Sequence, residues 1–439
     1  MRKTRATYRY KLDQLATIKD QLLSFYRNDK YLMFLDSNHG GTGHDSYNSL
    51  LAVGCIDSLS TAYDDAFSKL EDFYNEYKDW IFGYLGYDLK NDLEDLKSEN
   101  SDGTQFPDLC FYVPEVIFEL ESDHLLIHSY HASELDIKKL LDKIMQHQIP
   151  APKTVLRFGK LTAKDSKANY LIKAQNFLDH IHRGDIYEAN FCTEFYAENI
   201  SLDSLKAFKE LNDISEPPFA VYARLNNYHV MSASPERYLK KVGSQLISQP
   251  IKGTAKRSQL LIEDENLKVQ LFNDPKERSE NVMIVDLVRN DLSKIAKKGS
   301  VDVEELYGIY SFKQVHQMIS TVIATVKPEL NFIDVLKATF PMGSMTGAPK
   351  ISAMNIIEKN ESFKRGLYSG AIGYIKPDGD FDFNVVIRSI LYNSENKYLS
   401  FSVGSAITAA AQPEKEYEEC LLKANAMIEV LSHQGISFD

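Results

Sequence analysis

Helix-type and strand-type patterns of apolar residues alternate from residue 170 onward, and this alternation constrains the fold more than any other feature. Helical patterns cover residues 170–182, 276–298, 351–358 and 414–431. Strand patterns cover residues 228–232, 238–242, 382–391 and 398–403. The apolar face of the longest helix runs through Val282, Val285, Leu292 and Ile295. Because both kinds of element intermix, we expect a mixed α/β (α+β) fold with more sheet than a helical bundle holds.

Two prolines mark the one boundary that the sequence suggests. Pro150 and Pro152 interrupt helix and strand alike within residues 148–153. A length of 439 residues is compatible with two or three domains. We therefore expect an N-terminal region over residues 1–150 and a second domain over residues 160–436.

Composition excludes several classes of protein. A formal net charge of -12 argues against nucleic-acid binding, which normally needs a basic face. No apolar run is long enough to span a membrane, and the basic N-terminus lacks the apolar run of a signal peptide. The four cysteines are scattered without a CxxC pair, as is typical of reduced thiols: Cys55, Cys110, Cys192 and Cys420. We expect a cytoplasmic protein with no membrane or nucleic-acid partner.

One lysine and one glutamate are candidates for catalysis. Lys252 lies between Pro250 and Gly253 at a predicted strand end, and Glu236 precedes it. Closely packed backbone on both sides would remove water from the Lys252 ammonium and lower its pKa, which makes a lysine nucleophilic. Glu236 would then act as a general acid. The alternative is that Lys252 is an exposed surface lysine and Glu236 a turn residue.

Three glutamates on two predicted helices are candidate metal ligands. Glu416 and Glu419 share a helix face, and Glu280 lies near the start of the other long helix. Mg2+ prefers one or two carboxylates, with water and substrate oxygens completing its octahedron. The alternative is that these acidic residues only complement a helix dipole.

Small residues, hydroxyls and one arginine are candidates for anion binding. Residues 341–350 place glycines and hydroxyls before the predicted helix 351–358, where backbone N–H groups can bind an anion. Arg388 on the predicted strand 382–391 can grip a carboxylate in a bidentate pair. The predicted turn Gly404-Ser405-Ala406 can bring backbone N–H groups to a second carboxylate. Ordinary turn chemistry and a surface ion pair explain these residues equally well.

Six motifs together resemble one family. The motifs PIKGTAKR, ENVMIVDLVRNDL, FPMGSMTGAPKISAM, RGLYSGAIGY, FNVVIRS and EYEECLLKA occur in the order found in chorismate-utilising enzymes. The resemblance extends from about residue 170 to the C-terminus and is looser before it. It implies an anthranilate synthase component I-like fold, with a large two-sheet β sandwich flanked by helices. Residues 160–436 would then form the chorismate-binding catalytic domain.

Position 252 resembles aminodeoxychorismate synthase component I within this family. Anthranilate synthase large subunits typically carry alanine where Lys252 stands. Isochorismate and salicylate synthases carry a water-activating lysine at the position that matches Glu188. The resemblance therefore implies amination of chorismate at C4, in p-aminobenzoate and folate biosynthesis. Anthranilate synthase component I and a non-catalytic chorismate-binding protein remain alternatives.

The resemblance also implies residue roles. Lys252 would attack C2 of chorismate while Glu236 protonates the leaving C4 hydroxyl, and ammonia would then add at C4. Mg2+ would be held by Glu280 and Glu419, with Glu416 in support. The substrate carboxylates would be held by Tyr368, Arg388, Gly404 and Ala406, with Thr346 nearby. Ammonia would come from a separate class I glutamine amidotransferase subunit, because no cysteine here has the glycine-flanked setting of that nucleophile.

Two features depart from the family or stay undecided. Relatives carry a histidine where Gln317 stands, and His316 falls one residue earlier, so on a strand it faces the other way. We therefore assign His316 no catalytic role. The segment Phe34-Leu35-Asp36-Ser37 resembles the tryptophan-binding segment of relatives, and the sequence does not decide whether tryptophan binds there.

Overall fold

A computed structural model of the protein describes residues 5–11, 15–38, 40, 43–130, 133–150 and 159–438. The strands within these residues are β1 (Ala6–Lys11), β2 (Tyr31–Asp36), β3 (Ser49–Val53), β4 (Asp57–Thr61), β5 (Ile81–Leu85), β6 (Leu109–Val113), β7 (Val116–Leu120), β8 (His124–Ser129), β9 (Gly159–Ala163), β10 (Glu188–Ala197), β11 (Phe219–Leu225), β12 (Tyr228–Ser234), β13 (Arg237–Val242), β14 (Gln245–Gln249), β15 (Ile251–Lys256), β16 (Asp302–Ser311), β17 (Val315–Thr325), β18 (Gly347–Ala348), β19 (Ala371–Ile375), β20 (Phe381–Val385), β21 (Ser389–Asn393), β22 (Tyr398–Thr408) and β23 (Ile436–Phe438).

The α-helices within the same residues are α1 (Leu15–Phe25), α2 (Ala66–Tyr77), α3 (Lys90–Leu93), α4 (Glu134–Gln146), α5 (Lys167–Arg183), α6 (Ser204–Ser215), α7 (Leu261–Asn273), α8 (Pro275–Ile295), α9 (Phe332–Thr339), α10 (Lys350–Asn360) and α11 (Pro413–His433). Two short 3-10 helices, Tyr87–Leu89 and Gly343–Met345, complete the described elements. Among the helices of this described part, none combines the length and the apolar sequence needed to cross a membrane.

The described strands assemble into two large sheets. The first sheet has the order β1-β8-β7-β3-β2-β11-β12-β21-β22-β10-β9-β23, with β18 pairing beside β10. The second has the order β15-β17-β14-β13-β20-β19-β5-β6-β4, with β16 pairing beside β17. The expected mixed fold with two sheets is confirmed.

Alternation along the strands produces two hydrophobic cores. On β2, Met33 and Leu35 belong to the core that the two sheets share, whereas Leu32 and Phe34 belong to the other core. The second core is formed with helices α1, α4, α5, α6, α10 and α11. Since successive side chains of a strand point to opposite faces, one sheet can contribute to both cores. The first sheet is therefore covered on both faces.

Both predicted segments contribute to both sheets. In the first sheet, β2 of the N-terminal segment pairs with β11. In the second sheet, β5 pairs with β19. Of the proline-containing boundary, Ala151, Pro152 and Lys153 lie outside the described residues. The division between residues 150 and 160 therefore stays a prediction. In each sheet, strands that precede this division pair with strands that follow it.

Helix boundaries follow the local signals expected of them. The predicted helix 170–182 lies within α5, which ends before Gly184 at a φ of 86°. Glycine adopts this left-handed conformation without the steric cost that a side chain adds. Helix α8 begins at Pro275, and the Asp274 side chain accepts hydrogen bonds from the backbone N–H groups of Lys276 and Glu277. Such a cap satisfies N–H groups that have no partner within the helix.

The predicted apolar face of α8 is wrong at one position. Val282 is exposed, while Ile284, Val285, Leu292 and Ile295 are buried. The buried stripe passes through Glu280 and Asn281 instead, two positions and one position before Val282. The reason is that the start of α8 faces a polar site and not the hydrophobic core.

The predicted strand 382–391 is also wrong, because the chain changes sheets within it. Strand β20 ends at Val385 in the second sheet, and β21 begins at Ser389 in the first. Between them Arg388 has a φ of 52°, in the left-handed region. Arg388 therefore lies at a crossing between the two sheets and not on a strand.

The predicted turn at Gly404-Ser405-Ala406 is a strand. Strand β22 continues to Thr408, and β10 pairs with it along this length, with Cys192 opposite Gly404 and Asn190 opposite Ala406. A partner strand from far away in the sequence holds these small residues extended. Local sequence alone therefore misassigned them.

Candidate active site

A cavity of about 710 Å³ brings the predicted site residues together. Helices α8 and α11 and strands β15, β17 and β22 all contribute side chains to its lining. The lining includes all the predicted site residues except Thr346: Glu236, Lys252, Glu280, Tyr368, Arg388, Gly404, Ala406, Glu416 and Glu419. Residues spread over nearly 200 positions of the chain therefore share one wall.

Lys252 lies in this wall beside a buried carboxylate. Its side chain is 14% exposed, and its Nζ atom is 3.0 Å from Oε1 of Glu188. Glu188 begins β10 in the first sheet, and Lys252 lies on β15 at the edge of the second. The pair therefore joins the two sheets at the cavity.

The pKa expected for Lys252 has to be corrected. Burial lowers the pKa of its ammonium, but the negative charges of Glu188, Glu280 and Glu419 outweigh burial and raise the pKa above its usual value. Packing around a lysine lowers its pKa unless nearby anions outweigh the loss of hydration. Without substrate, Lys252 is therefore a charged ammonium and not a free amine.

Glu236 has the properties of an acid that keeps its proton near neutral pH. It lies between β12 and β13, and its side chain is buried at the cavity. Burial raises the pKa of Glu236 to about 7. A carboxyl group with this pKa is partly protonated at neutral pH and can donate its proton to a leaving group.

Two of the predicted metal ligands share one cation of the chain itself. Nζ of Lys276 is 3.7 Å from Oε1 of Glu280 and 3.8 Å from Oε1 of Glu416. The Ser405 hydroxyl donates a hydrogen bond to Glu416. Burial also raises the pKa of Glu280 to about 7. The two carboxylates are thus close enough to hold a single positive charge between them.

The third predicted ligand is paired separately. Oε1 of Glu419 is 2.6 Å from Nζ of Lys423, which also donates to the carbonyl oxygen of Gly404 at 2.8 Å. Burial raises the pKa of Glu419, but Lys423 outweighs it and the pKa is lowered. Within the part of the chain that the structure describes, no group of three or more His, Cys, Asp or Glu side chains is arranged to hold a metal. A metal here would therefore complete its coordination with oxygens from water or a substrate.

Arg388 offers an unpaired cation at the cavity. Among the described residues, no ion pair or side-chain hydrogen bond is formed by its guanidinium. Burial lowers its pKa, although Tyr368 and Glu419 act in the opposite direction. Tyr368 is close by in the lining, and its hydroxyl contacts Sγ of Cys192 at 3.6 Å. A half-buried guanidinium without a partner favours binding of an anion.

Thr346 lies outside the cavity lining. Its side chain is fully buried, and its hydroxyl donates to the carbonyl oxygens of Met342 and Gly343, both at 3.2 Å. Its carbonyl oxygen accepts from the backbone N–H of Asn190 at 2.8 Å. These contacts hold the loop before α10 against β10. The neighbouring Ser344 lines the cavity instead.

Gln317 and His316 point in opposite directions, as expected from neighbouring positions on a strand. Gln317 lines the cavity, and its side-chain oxygen is buried without a hydrogen-bond partner. His316 is fully buried, with Nε2 2.9 Å from Asp264 on α7 and Nδ1 2.9 Å from the Ser311 hydroxyl. The sequence-based decision to give His316 no catalytic role agrees with this geometry.

Three charged residues of the site were missed as participants from the sequence. Lys276 and Lys423 each lie four residues from a predicted ligand on the same helix, and that spacing signals an ion pair. Glu188 was considered only as a mismatch with other family members. No local signal connects it to Lys252, because the two residues lie on different sheets.

Comparison with known proteins agrees with the motifs. Residues 37–429 match the family described as chorismate binding enzyme. The chain is 33% identical to aminodeoxychorismate synthase component 1 of Escherichia coli (strain K12), over 80% of this chain and 76% of that one. It is 31% identical to "Probable aminodeoxychorismate synthase, chloroplastic" of Oryza sativa subsp. japonica, over 90% of this chain and 49% of the relative. The chain thus spans about half the length of that plant relative.

A solved structure agrees with the fold. The crystal structure of anthranilate synthase component I from Streptococcus pneumoniae TIGR4 superposes with a TM-score of 0.75 at 24% identity, covering 95% of this chain and 100% of that one. At this identity the likeness concerns the fold alone. The family match covers most of the chain and confirms the resemblance seen in the six motifs. The chain belongs to the chorismate binding enzyme family.

Proposed function

We propose that this protein aminates chorismate at C4 to give 4-amino-4-deoxychorismate, the precursor of p-aminobenzoate. The observation that carries the proposal is the Lys252 amine in the wall of the cavity, with Glu236 and Arg388 in the same lining. Relatives named aminodeoxychorismate synthase support it. Membership of the family supports chorismate as the ligand.

The cavity has groups suited to a substrate with two carboxylates. Arg388 can bind one carboxylate in a bidentate pair, and it has no competing partner among the described residues. Lys423 and strand β22 at Gly404 and Ala406 lie in the same lining and can receive the second. The Tyr368 hydroxyl adds a donor beside Arg388. We assign these residues to substrate binding.

The acidic residues of the cavity fit Mg2+. Glu280 and Glu416 both pair with the Lys276 ammonium, so the space between them already attracts a cation. Mg2+ is usually held by one or two carboxylates together with waters and substrate oxygens. We propose Glu280 and Glu419 as ligands with Glu416 in support. When bound, Mg2+ would draw electron density toward a substrate carboxylate as a Lewis acid.

The remaining chemistry belongs to two side chains. Lys252, once neutral, would attack C2 of the ring while the C4 hydroxyl leaves with the proton of Glu236. The pKa of Glu236, raised by burial to about 7, suits a proton donor at neutral pH. Ammonia would then attack C4 and expel the lysine. Covalent catalysis of this kind replaces one difficult displacement with two easier ones.

We propose that ammonia comes from a separate glutaminase subunit of the class I amidotransferase type. Burial raises the pKa of all four cysteine thiols, to about 11 for Cys55 and Cys420 and to about 12 for Cys110 and Cys192. A nucleophilic cysteine needs the opposite shift, because the thiolate is its reactive form. None of these thiols is therefore suited to hydrolyse glutamine. The cytoplasmic location expected from the sequence remains a prediction.

The test is incubation of the protein with chorismate, ammonium and Mg2+, with and without the lyase that converts aminodeoxychorismate to p-aminobenzoate. We expect p-aminobenzoate only when the lyase is present. Anthranilate released without the lyase would assign the chain to anthranilate synthesis instead. Mg2+-dependent binding of chorismate without turnover would identify a binding protein.

A further inference from the structure

Glu188 is placed to act on Lys252 from behind the cavity wall. Its carboxylate is 2% exposed and contacts the Lys252 ammonium at 3.0 Å, yet Glu188 itself is not part of the cavity lining. It stands at the first residue of β10, opposite Ala348 of β18 and Thr408 of β22. A substrate in the cavity would therefore meet Lys252, with Glu188 on the far side of the amine.

The second oxygen of Glu188 is unpaired. Oε2 is buried and has no hydrogen-bond partner among the described residues. Buried carboxylate oxygens without a partner are costly, so natural proteins rarely keep them without a reason. A carboxylate that has one oxygen on an ammonium and the other free can accept a proton without breaking other hydrogen bonds. This arrangement distinguishes Glu188 from a fully satisfied structural ion pair.

Other acids surround Lys252, but none is as near. Glu280 on α8, Glu419 on α11 and Glu236 before β13 contribute charge at the Lys252 ammonium. Glu277, also on α8, interacts electrostatically with Lys252 as well. Among the described residues, however, only Glu188 lies within 4.0 Å of the Lys252 nitrogen as an ion pair. It is the acid that can exchange a proton with the amine directly.

We propose that Glu188 takes the proton from the Lys252 ammonium when substrate fills the cavity, and returns it when the lysine is released. This inference rests on the proposed lysine attack. Filling the cavity removes water, and burial disfavours charged forms of both partners. Transfer of one proton from Lys252 to Glu188 neutralises both groups at once, so a bound substrate favours this transfer. The same pair keeps the lysine charged and unreactive while the cavity is open.

The protons and electrons balance through the cycle. One N–H bond of Lys252 breaks and one O–H bond of Glu188 forms, which leaves a neutral amine and a neutral carboxylic acid. The nitrogen lone pair forms the bond to C2, and the C4 oxygen leaves as water with the Glu236 proton. When ammonia attacks C4, the C2–N electron pair returns to Lys252 and the Glu188 proton follows. Glu236 recovers its proton from the new ammonium at C4.

The test compares Glu188→Gln and Glu188→Asp with Glu194→Gln as a matched control. Glu194 is another buried glutamate of β10, where it accepts a hydrogen bond from the Tyr398 hydroxyl and does not line the cavity. We expect Glu188→Gln to lower amination near pH 7.5 by roughly 100- to 10,000-fold, the usual range for loss of a proton-transfer group. The loss should shrink as pH rises, because solvent can then deprotonate Lys252. Glu188→Asp should recover part of the rate.

A second measurement works without chorismate. Methyl acetimidate modifies neutral amines, and peptide mass spectrometry reports the modification of Lys252 as a function of pH. We expect Glu188→Gln to move this titration to lower pH, so that the variant is more reactive toward methyl acetimidate and yet slower in amination. A purely structural role would not separate the two readouts in this way.

The outcomes separate this inference from the proposed function. If the wild-type protein aminates chorismate but Glu188→Gln behaves like Glu194→Gln in both measurements, the role of Glu188 is refuted. A Glu188→Gln rate profile that runs parallel to wild type at every pH also refutes it. If the wild-type protein does not aminate chorismate, the proposed function fails, whereas the methyl acetimidate titration still shows whether Glu188 holds the proton on Lys252.

Discussion

At the scale of single residues, the site combines a lysine that keeps its ammonium proton with a glutamate that stays protonated to an unusually high pH. Glu188, Glu280 and Glu419 raise the pKa of the Lys252 ammonium against the effect of burial. Burial raises the pKa of Glu236 to about 7. Two titratable groups with shifted pKa values in one cavity wall are a common sign of acid–base roles. Two predictions test these residues.

Replacing Lys252 should remove the covalent step. We expect Lys252→Ala to lower amination by at least about 100-fold while the fold is kept, because among the described residues the Lys276 and Lys423 amines of the same cavity are held in ion pairs. Steady-state rates with ammonium and circular dichroism spectra measure the two effects. Lys241→Ala is the control, since Lys241 pairs with Asp380 outside the cavity. Near-normal amination by Lys252→Ala would refute the covalent mechanism.

The Glu236 proton should set the alkaline side of the pH profile. A proton donor must be protonated to act, and burial raises the pKa of Glu236 to about 7. The rate of amination should therefore be highest below pH 7 on account of this group and decline as pH rises through 7. Glu236→Gln should abolish this decline and lower the rate by roughly 100- to 10,000-fold. A decline that persists unchanged in Glu236→Gln would assign it to another group.

At the scale of elements, helices α8 and α11 carry both the acids and the cations that neutralise them. Lys276 lies one turn before Glu280 on α8, and Lys423 one turn after Glu419 on α11. Residues four apart on a helix face each other, so both pairs follow from helix geometry alone. Lys276 also reaches across to Glu416 of α11. An ion pair therefore connects the two helices at the proposed metal site.

Removing the Lys276 ammonium should strengthen Mg2+ binding. Its side chain is 47% exposed, so each of its two ion pairs contributes at most about 1 kcal/mol. We expect Lys276→Met to tighten Mg2+ binding by roughly threefold to tenfold, as measured by titration calorimetry without substrate. Lys415→Met, an exposed residue of α11, is the control. Unchanged or weaker Mg2+ binding would place the metal away from Glu280 and Glu416.

At the scale of the whole molecule, the two sheets depend on strands from both ends of the chain. Strand β2 lies between β3 and β11 in the first sheet, and β5 lies between β6 and β19 in the second. The residues after 160 do not form either sheet on their own. The residues that line the cavity all come from the later segment, and they rest on sheets that the earlier segment helps to build.

Separating residues 160–438 from the earlier segment should prevent correct folding. Residues 160–438 expressed alone would expose the edges of β11 and β19, and unpaired edges promote aggregation. We expect this fragment to aggregate in size-exclusion chromatography. Co-expression with residues 1–150 should recover a defined complex. A stable, monomeric and cooperatively folded fragment would show that residues 160–436 form an independent domain.

Local patterns predicted the mixed fold and the helix positions. Apolar spacing placed α5, α8, α10 and α11 because helix periodicity depends on neighbours within a few residues. Gln317 and His316 were separated correctly because a strand alternates its faces. Family motifs supplied the set of cavity residues from Glu236 to Glu419, which chain order alone would not have joined.

Tertiary structure decided what depends on distant parts of the chain. The crossing between sheets at Arg388, the extended conformation at Gly404 and the exposure of Val282 each follow from partners far away in the sequence. The pKa of Lys252 was predicted in the wrong direction because its sign depends on charges brought together by folding. Sequence patterns report short-range geometry, whereas burial and charge at a site are sums over the whole folded molecule.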